Sequence, residues 1–141
     1  MAAGLQIDLL NEKGAYSPGD LIEGVVSWNL SDQPKAVKLH LLFFTRGKGD
    51  QDVIVADTIE YDSPPAAGVE KFTFASPPGP YTFSGKLISL IWALELETVK
   101  PDDAFRREIT IAPGAQEILL SRISNPVQDD DLFSQKLPLN G

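Results

Sequence analysis

Few residues in this chain could do chemistry. His40 is the sole histidine, and there is no cysteine. A Ser-His-Asp arrangement would have to use His40. That residue stands mid-strand between Leu39 and Leu41 with no flanking signature, so it reads as a solvent-facing strand residue. Glu95 and Glu97 are two apart. An extended backbone sets both carboxylates on one face, and paired carboxylates can do acid–base work. They would carry a small-hydrolase reading, but no pocket signal or aromatic platform accompanies them. Asp129-Asp130-Asp131 offers carboxylates to calcium without the spacing or glycine of an EF-hand loop. It reads as a solvated acidic tail. Gly47-Lys48-Gly49-Asp50 lacks the length and the terminal hydroxyl residue of a phosphate loop and reads as a hairpin turn. Without cysteine, zinc–thiolate sites, thiol nucleophiles and disulfides are excluded. The expectation is no enzyme, no cofactor and no metal site.

The elements that would position these residues are strands. Ile88, Leu90, Trp92, Leu94 and Leu96 alternate with Ser89, Ala93, Glu95 and Glu97. This period of two predicts a central strand over 86–97, preceded by a rigid lead-in, Pro77-Pro78-Gly79-Pro80. That lead-in could also serve as a polyproline ligand, although a loop before a core strand explains it as well. Further strands are predicted over 5–10, 21–30, 35–46, 53–62, 69–75 and 104–112. Pro18-Gly19 signals a type II turn. Trp28 and Trp92 fall on inward rows and read as core. Seven such strands, punctuated by turns, predict an all-β, immunoglobulin-like antiparallel sandwich of seven to eight strands. The sandwich domain is expected over 1–115. Gln116 to Ile123 is an eighth strand or a short helix, and a flexible acidic tail follows to residue 141.

At 141 residues one domain is expected, with enough chain for one good core. The N-terminal residues predict neither a signal peptide nor a membrane helix. A cytoplasmic location is expected. The net charge of −8 opposes binding to nucleic acid and to anionic membranes.

Three stretches carry a family resemblance. The first, Tyr16 to Val26, follows the pattern Y-x-P-G-D-x-I-x-G-x-V. The second is the strand Lys35-Ala36-Val37-Lys38-Leu39-His40-Leu41-Leu42-Phe43. The third runs from Phe72-Thr73-Phe74 through a proline loop to Pro80-Tyr81-Thr82-Phe83-Ser84-Gly85-Lys86-Leu87-Ile88-Ser89. Their order resembles the arrestin-type domain of arrestins, retromer-associated relatives and sporulation-control proteins, over residues 5 to about 112. The resemblance implies a scaffold that binds other proteins. It does not imply a phosphorylated receptor as ligand, because the basic phosphate-sensing cluster has no clear counterpart, and only one of the usual two sandwiches fits.

A protein partner or self-association as a homodimer is therefore expected, through a sheet face or an edge strand. Leu42 and Phe44 sit opposite the inward row Val37, Leu39, Leu41 and Phe43. Leu87 and Ile91 interrupt the outward row of the central strand. These four form the candidate interaction surface. The competing expectation is that Gln116 to Ile123 folds over them. A sugar-binding sandwich would instead need exposed aromatics, for which Tyr61, Tyr81 and Phe83 are the candidates.

Overall fold

The computed structural model describes residues 4–47, 51–85, 87–116 and 118–119. Strands form where alternation is long: β1 (Leu5–Leu9), β3 (Leu21–Asn29), β4 (Ala36–Gly47), β5 (Val53–Tyr61), β6 (Ala67–Ala75), β8 (Ile88–Val99) and β9 (Asp103–Ile111). Three two-residue strands, β2 (Ala15–Tyr16), β7 (Phe83–Ser84) and β10 (Ile118–Leu119), bring the described segments to ten, not seven or eight. Among the described residues there is no α-helix, only a 3-10 turn at Pro113–Ala115. No described helix is long and apolar enough to cross a membrane.

The strands make a β-sandwich. The small sheet runs β1-β3-β6, all antiparallel. The large sheet runs β10-β7-β8-β4-β5, with β9 also on β8 and β2 on β9. β8 pairs antiparallel with β4 along its whole length, from Ile88↔Gly47 to Val99↔Ala36. Its other edge is shared by β7 at Ser89–Leu90 and β9 at Trp92–Thr98. The turn before β3 is the one that Pro18-Gly19 signals. Gly19 has φ +92°, and the Asp20 N–H donates to the Ser17 carbonyl at 3.0 Å.

The inward rows meet between the sheets. Ile22, Val26 and Trp28 from β3, Phe72 and Phe74 from β6, and Ile7 from β1 face Val37, Leu39 and Leu41 from β4 and Trp92, Leu94 and Leu96 from β8. Phe43 packs on Trp92 with ring centroids 4.9 Å apart. Each indole is anchored by a hydrogen bond, Trp28 Nε1 to the Pro65 carbonyl at 2.9 Å and Trp92 Nε1 to the Pro80 carbonyl at 2.7 Å. The proline lead-in is thus pinned to the core strand. Arg107 stands on the inward row of β9 and donates from Nη1 to the Ile7 carbonyl of β1 at 3.1 Å, tying the two sheets at one side.

Gly24 is the close-approach point of the small sheet. A Cβ there would lie 2.1 Å from the Asp8 carbonyl oxygen and 2.9 Å from the Phe72 ring. Neither neighbour is a flexible side-chain end. Gly24→Ala is therefore expected to cost about 1–3 kcal/mol by overpacking, whereas Leu10→Ser, at an exposed loop position, should cost under about 0.5 kcal/mol. Urea midpoints at unchanged slope measure both.

Candidate functional site: the outer face and free edge of the large sheet

The outer face of the large sheet carries the cross-strand rows opposite the core. Register places His40 between Thr58 of β5 and Glu95 of β8, Leu42 between Val55 and Ala93, and Phe44 between Val53 and Ile91. The apolar rows are the unusual feature, since a solvated face alternates to polar residues.

The expected interaction surface is corrected here. Leu42 and Phe44 are each only 1% exposed, and Ile91 is 9% exposed; with Ala93 they form a second buried cluster. The Arg106 guanidinium lies 4.8 Å from the Phe44 ring centroid and that of Arg46 lies 5.5 Å away. Both are held in place. Arg106 Nη2 bonds Glu95 Oε2 at 3.0 Å, and Arg46 Nη2 bonds Glu108 Oε2 at 2.7 Å, reaching from β4 to β9. Cation–π contact lets a charged side chain roof an apolar one. Leu87 alone of the four is open, at 69% exposure. Of the segment expected to fold over the patch, Gln116 is exposed and Ile118–Leu119 forms β10, parallel to β7. Its other residues lie outside the described ones, as do Asp129-Asp130-Asp131 and Lys48-Gly49-Asp50.

The chemistry-bearing residues sit on this same face, each already engaged. His40 is not free to solvent. Its Nε2 is 2.8 Å from Glu97 Oε1, and its Nδ1 is 2.8 Å from Thr58 Oγ1. A carboxylate only accepts, so the neutral ring carries its proton on Nε2 and accepts the Thr58 hydroxyl proton at Nδ1. The hydroxyl, imidazole and carboxylate form a line across three strands. Glu95 is taken by Arg106 and Glu97 by His40. Hollows on the described surface include two away from these residues. One of about 590 Å³ lies along β1, β3 and β6 beside Trp28 and Gly68. The other, of about 280 Å³, is lined by Lys13, Arg46, Glu108 and the hydroxyl residues Thr82, Ser84, Ser89 and Thr110. His40, Glu95 and Glu97 line neither. Among the described residues no three His, Asp or Glu side chains are grouped to hold a metal ion. Of the three aromatic candidates, Tyr81 is exposed while Tyr61 and Phe83 pack partly against the core.

Among the described strands, β1 and β6 end the small sheet and β5, β10 and β2 end runs of the large one; the three long ones differ. β1 exposes Gln6 and Asp8, bonded to each other, and its Ile7 carbonyl is taken by Arg107. β6 exposes Glu70 and Lys71, and the Tyr61 hydroxyl lies 3.4 Å from the Lys71 carbonyl. β5 pairs only with β4 and exposes three consecutive apolar residues: Val53 at 46%, Ile54 at 51% and Val55 at 50%. A bulge leaves Ala56 unpaired, because Leu41 faces Asp57 and Leu42 faces Val55. The sequence reading missed this triplet. Its signal was visible, an apolar run without lysine or proline to guard an edge.

Comparison with known proteins adds no assignment: no protein-family model matches the chain, and no curated protein matches it.

Arg106→Ala is expected to lower stability by about 1 kcal/mol, combining a cation–π contact with a partly exposed ion pair. Arg106→Lys should recover only part of this, because an ammonium lacks the planar stacking surface. Urea midpoints with and without added salt measure it.

Tyr61 gives the edge a pH dependence. Burial, and then the negative charge of Glu70, push its phenol up from 10.0 to about 12. Folding thus favours the neutral phenol. That contribution is fully present below the unfolded value and is lost as pH rises through the folded one. Stability is expected to fall between pH 10 and about 12, and Tyr61→Phe should flatten part of the decline. Tyr16, also raised by burial, supplies another part. Urea melts of both proteins across this range measure it.

Proposed function

We propose that this chain is a non-catalytic protein-interaction domain of arrestin-like type that holds a partner's extended segment at the β5 edge. The single observation that carries this is the exposed Val53-Ile54-Val55 run on an end strand. An end strand offers free backbone N–H and C=O groups, and an added strand satisfies them while covering the apolar side chains. The site moves from the sheet face to its rim, because Leu42, Phe44 and Ile91 are buried together and Arg46 and Arg106 lie over the Phe44 ring. The outer apolar rows nevertheless continue outward, through Leu42 to Val55 and through Phe44 to Val53. An incoming strand would extend rows that already exist.

A non-catalytic reading is preferred to a paired-acid hydrolase because Glu95 is paired with Arg106 and Glu97 accepts a hydrogen bond from His40. The resemblance at Tyr16 to Val26 and at Pro80 to Ser89 supports an arrestin-like scaffold.

The double change Val53→Lys and Val55→Lys places charges on the exposed rim without touching the core. Proteins retained from the source cell by the unaltered chain should be lost by this variant and kept by Leu87→Ser and by Glu95→Gln with Glu97→Gln. Affinity capture with quantitative mass spectrometry reads the difference. An identical retained set for the rim variant, at unchanged thermal stability, overturns the proposal.

A further inference from the structure

The charges around the β5 edge say which segment suits it. Residues 51–62 read QDVIVADTIEYD, with four acids and no lysine or arginine. Asp52, Asp57, Glu60 and Asp62 are all exposed. Glu60 faces Lys38 across the pair with β4; the other three have no cation opposite them in the register described. The outward and inward rows of the strand thus carry β-branched residues at one end and carboxylates toward the other.

Asp57 adds a second constraint. Its Oδ1 accepts the backbone N–H of Thr58 at 2.8 Å. The middle of the strand is blunted by its own carboxylate, a device that discourages neutral strands from adding. A cation drawn to Asp57 would release that amide for an incoming carbonyl. A neutral or acidic segment would take the amide and leave the Asp57 carboxylate without a cation in its place.

A second copy of this chain fits poorly. Antiparallel pairing centred on the strand sets Asp57 opposite Asp57, and like charges directly opposite are destabilising. Each copy also carries a net charge of −8.

We infer that the occupant of the β5 edge is a basic extended segment of another protein, alternating lysine or arginine with β-branched or other apolar residues and added antiparallel to Val53–Tyr61. This rests on the proposed use of that edge. Apolar side chains of the segment cover Val53 and Val55, and its cations meet Asp57 and Asp62. Antiparallel addition gives the stronger ladder. The acids also steer a basic segment toward the edge, an effect that weakens as salt rises.

The test uses the full chain and three labelled nine-residue peptides in fluorescence anisotropy. One alternates lysine and valine, one alternates glutamate and valine, and one is the lysine peptide with alternate backbone amides methylated. The lysine peptide should bind at least about tenfold tighter than the glutamate peptide. Methylation should weaken it about tenfold or more, because strand addition needs the backbone. Asp57→Asn, a conservative change at an exposed position, should weaken the lysine peptide several-fold. Amide exchange within 53–61 should slow on binding. Equal binding of the lysine and glutamate peptides, both lost on methylation, overturns the basic preference and leaves the edge reading standing. Binding that survives methylation with unchanged exchange in 53–61 is diffuse charge attraction and overturns both. A dimer in sedimentation that Val53→Lys with Val55→Lys dissolves makes a second copy the occupant and overturns the inference.

Discussion

The structure depends on the double-sided pairing of β8. Twelve consecutive residues of β8 match twelve of β4, and the opposite edge holds β7 and β9. This pairs the central strand on both edges over Ser89–Leu90 and Trp92–Thr98 and buries Trp92, Leu94 and Leu96 against the small sheet. Burying one such side chain contributes about 1.5–3 kcal/mol. The Trp92 N–H, which would otherwise be a buried unpaired donor, goes to the Pro80 carbonyl. That bond in turn fixes where the chain enters β7. The same segment is stitched to the end of β9, since the Thr82 N–H donates to the Ile111 carbonyl and the Ile111 N–H donates to the Thr82 hydroxyl. One strand thus sets the register of its neighbours on both sides.

The long strands were legible in the sequence because alternation has a physical cause in the pleat. Wherever the rows were long, predicted and observed strands coincide within two residues. The short strands were not legible. Ala15–Tyr16 and Phe83–Ser84 are strands only because β9 and β8 run beside them. Two residues carry no period. The parallel partnership of β2 with β9 joins residues nearly a hundred positions apart, and nothing local to either announces it. The arrestin-like resemblance rests on the same long rows and on the turn at Pro18-Gly19, so it shares their reach and their limits.

The site was legible only in part, and the reason is also physical. Alternation says that Leu42 and Phe44 leave the inner face; it does not say what lies above the outer one. Over Phe44 the cover is a pair of side chains, Arg46 from the same strand and Arg106 from β9, each positioned by a glutamate on another strand. Such a roof has no sequence period. His40 illustrates the same gap. Its two partners, Thr58 and Glu97, come from the two strands that flank β4, and only the pairing of those strands identifies them. Edge position is likewise a property of topology. Val53, Ile54 and Val55 would be unremarkable in a central strand; at the end of a sheet they are half exposed.

The contrast between the two apolar groups on this face follows from that topology. Phe44 and Leu42 have strands on both sides, and cations from β4 and β9 close over Phe44 at no cost in backbone pairing. Val53 and Val55 have β4 on one side and nothing on the other within the described sheet. Among the described residues no strand lies on that side to supply a roofing side chain. An added strand would bury the rim and satisfy its free backbone as well. The acids at Asp57 and Asp62 are exposed beside this rim; in the proposed use of the edge they would select among strands. The fold thus separates two tasks along one row of residues. The inner part is buried, with ion-paired arginines over Phe44, and the outer part is an end strand on which the proposed strand addition would act.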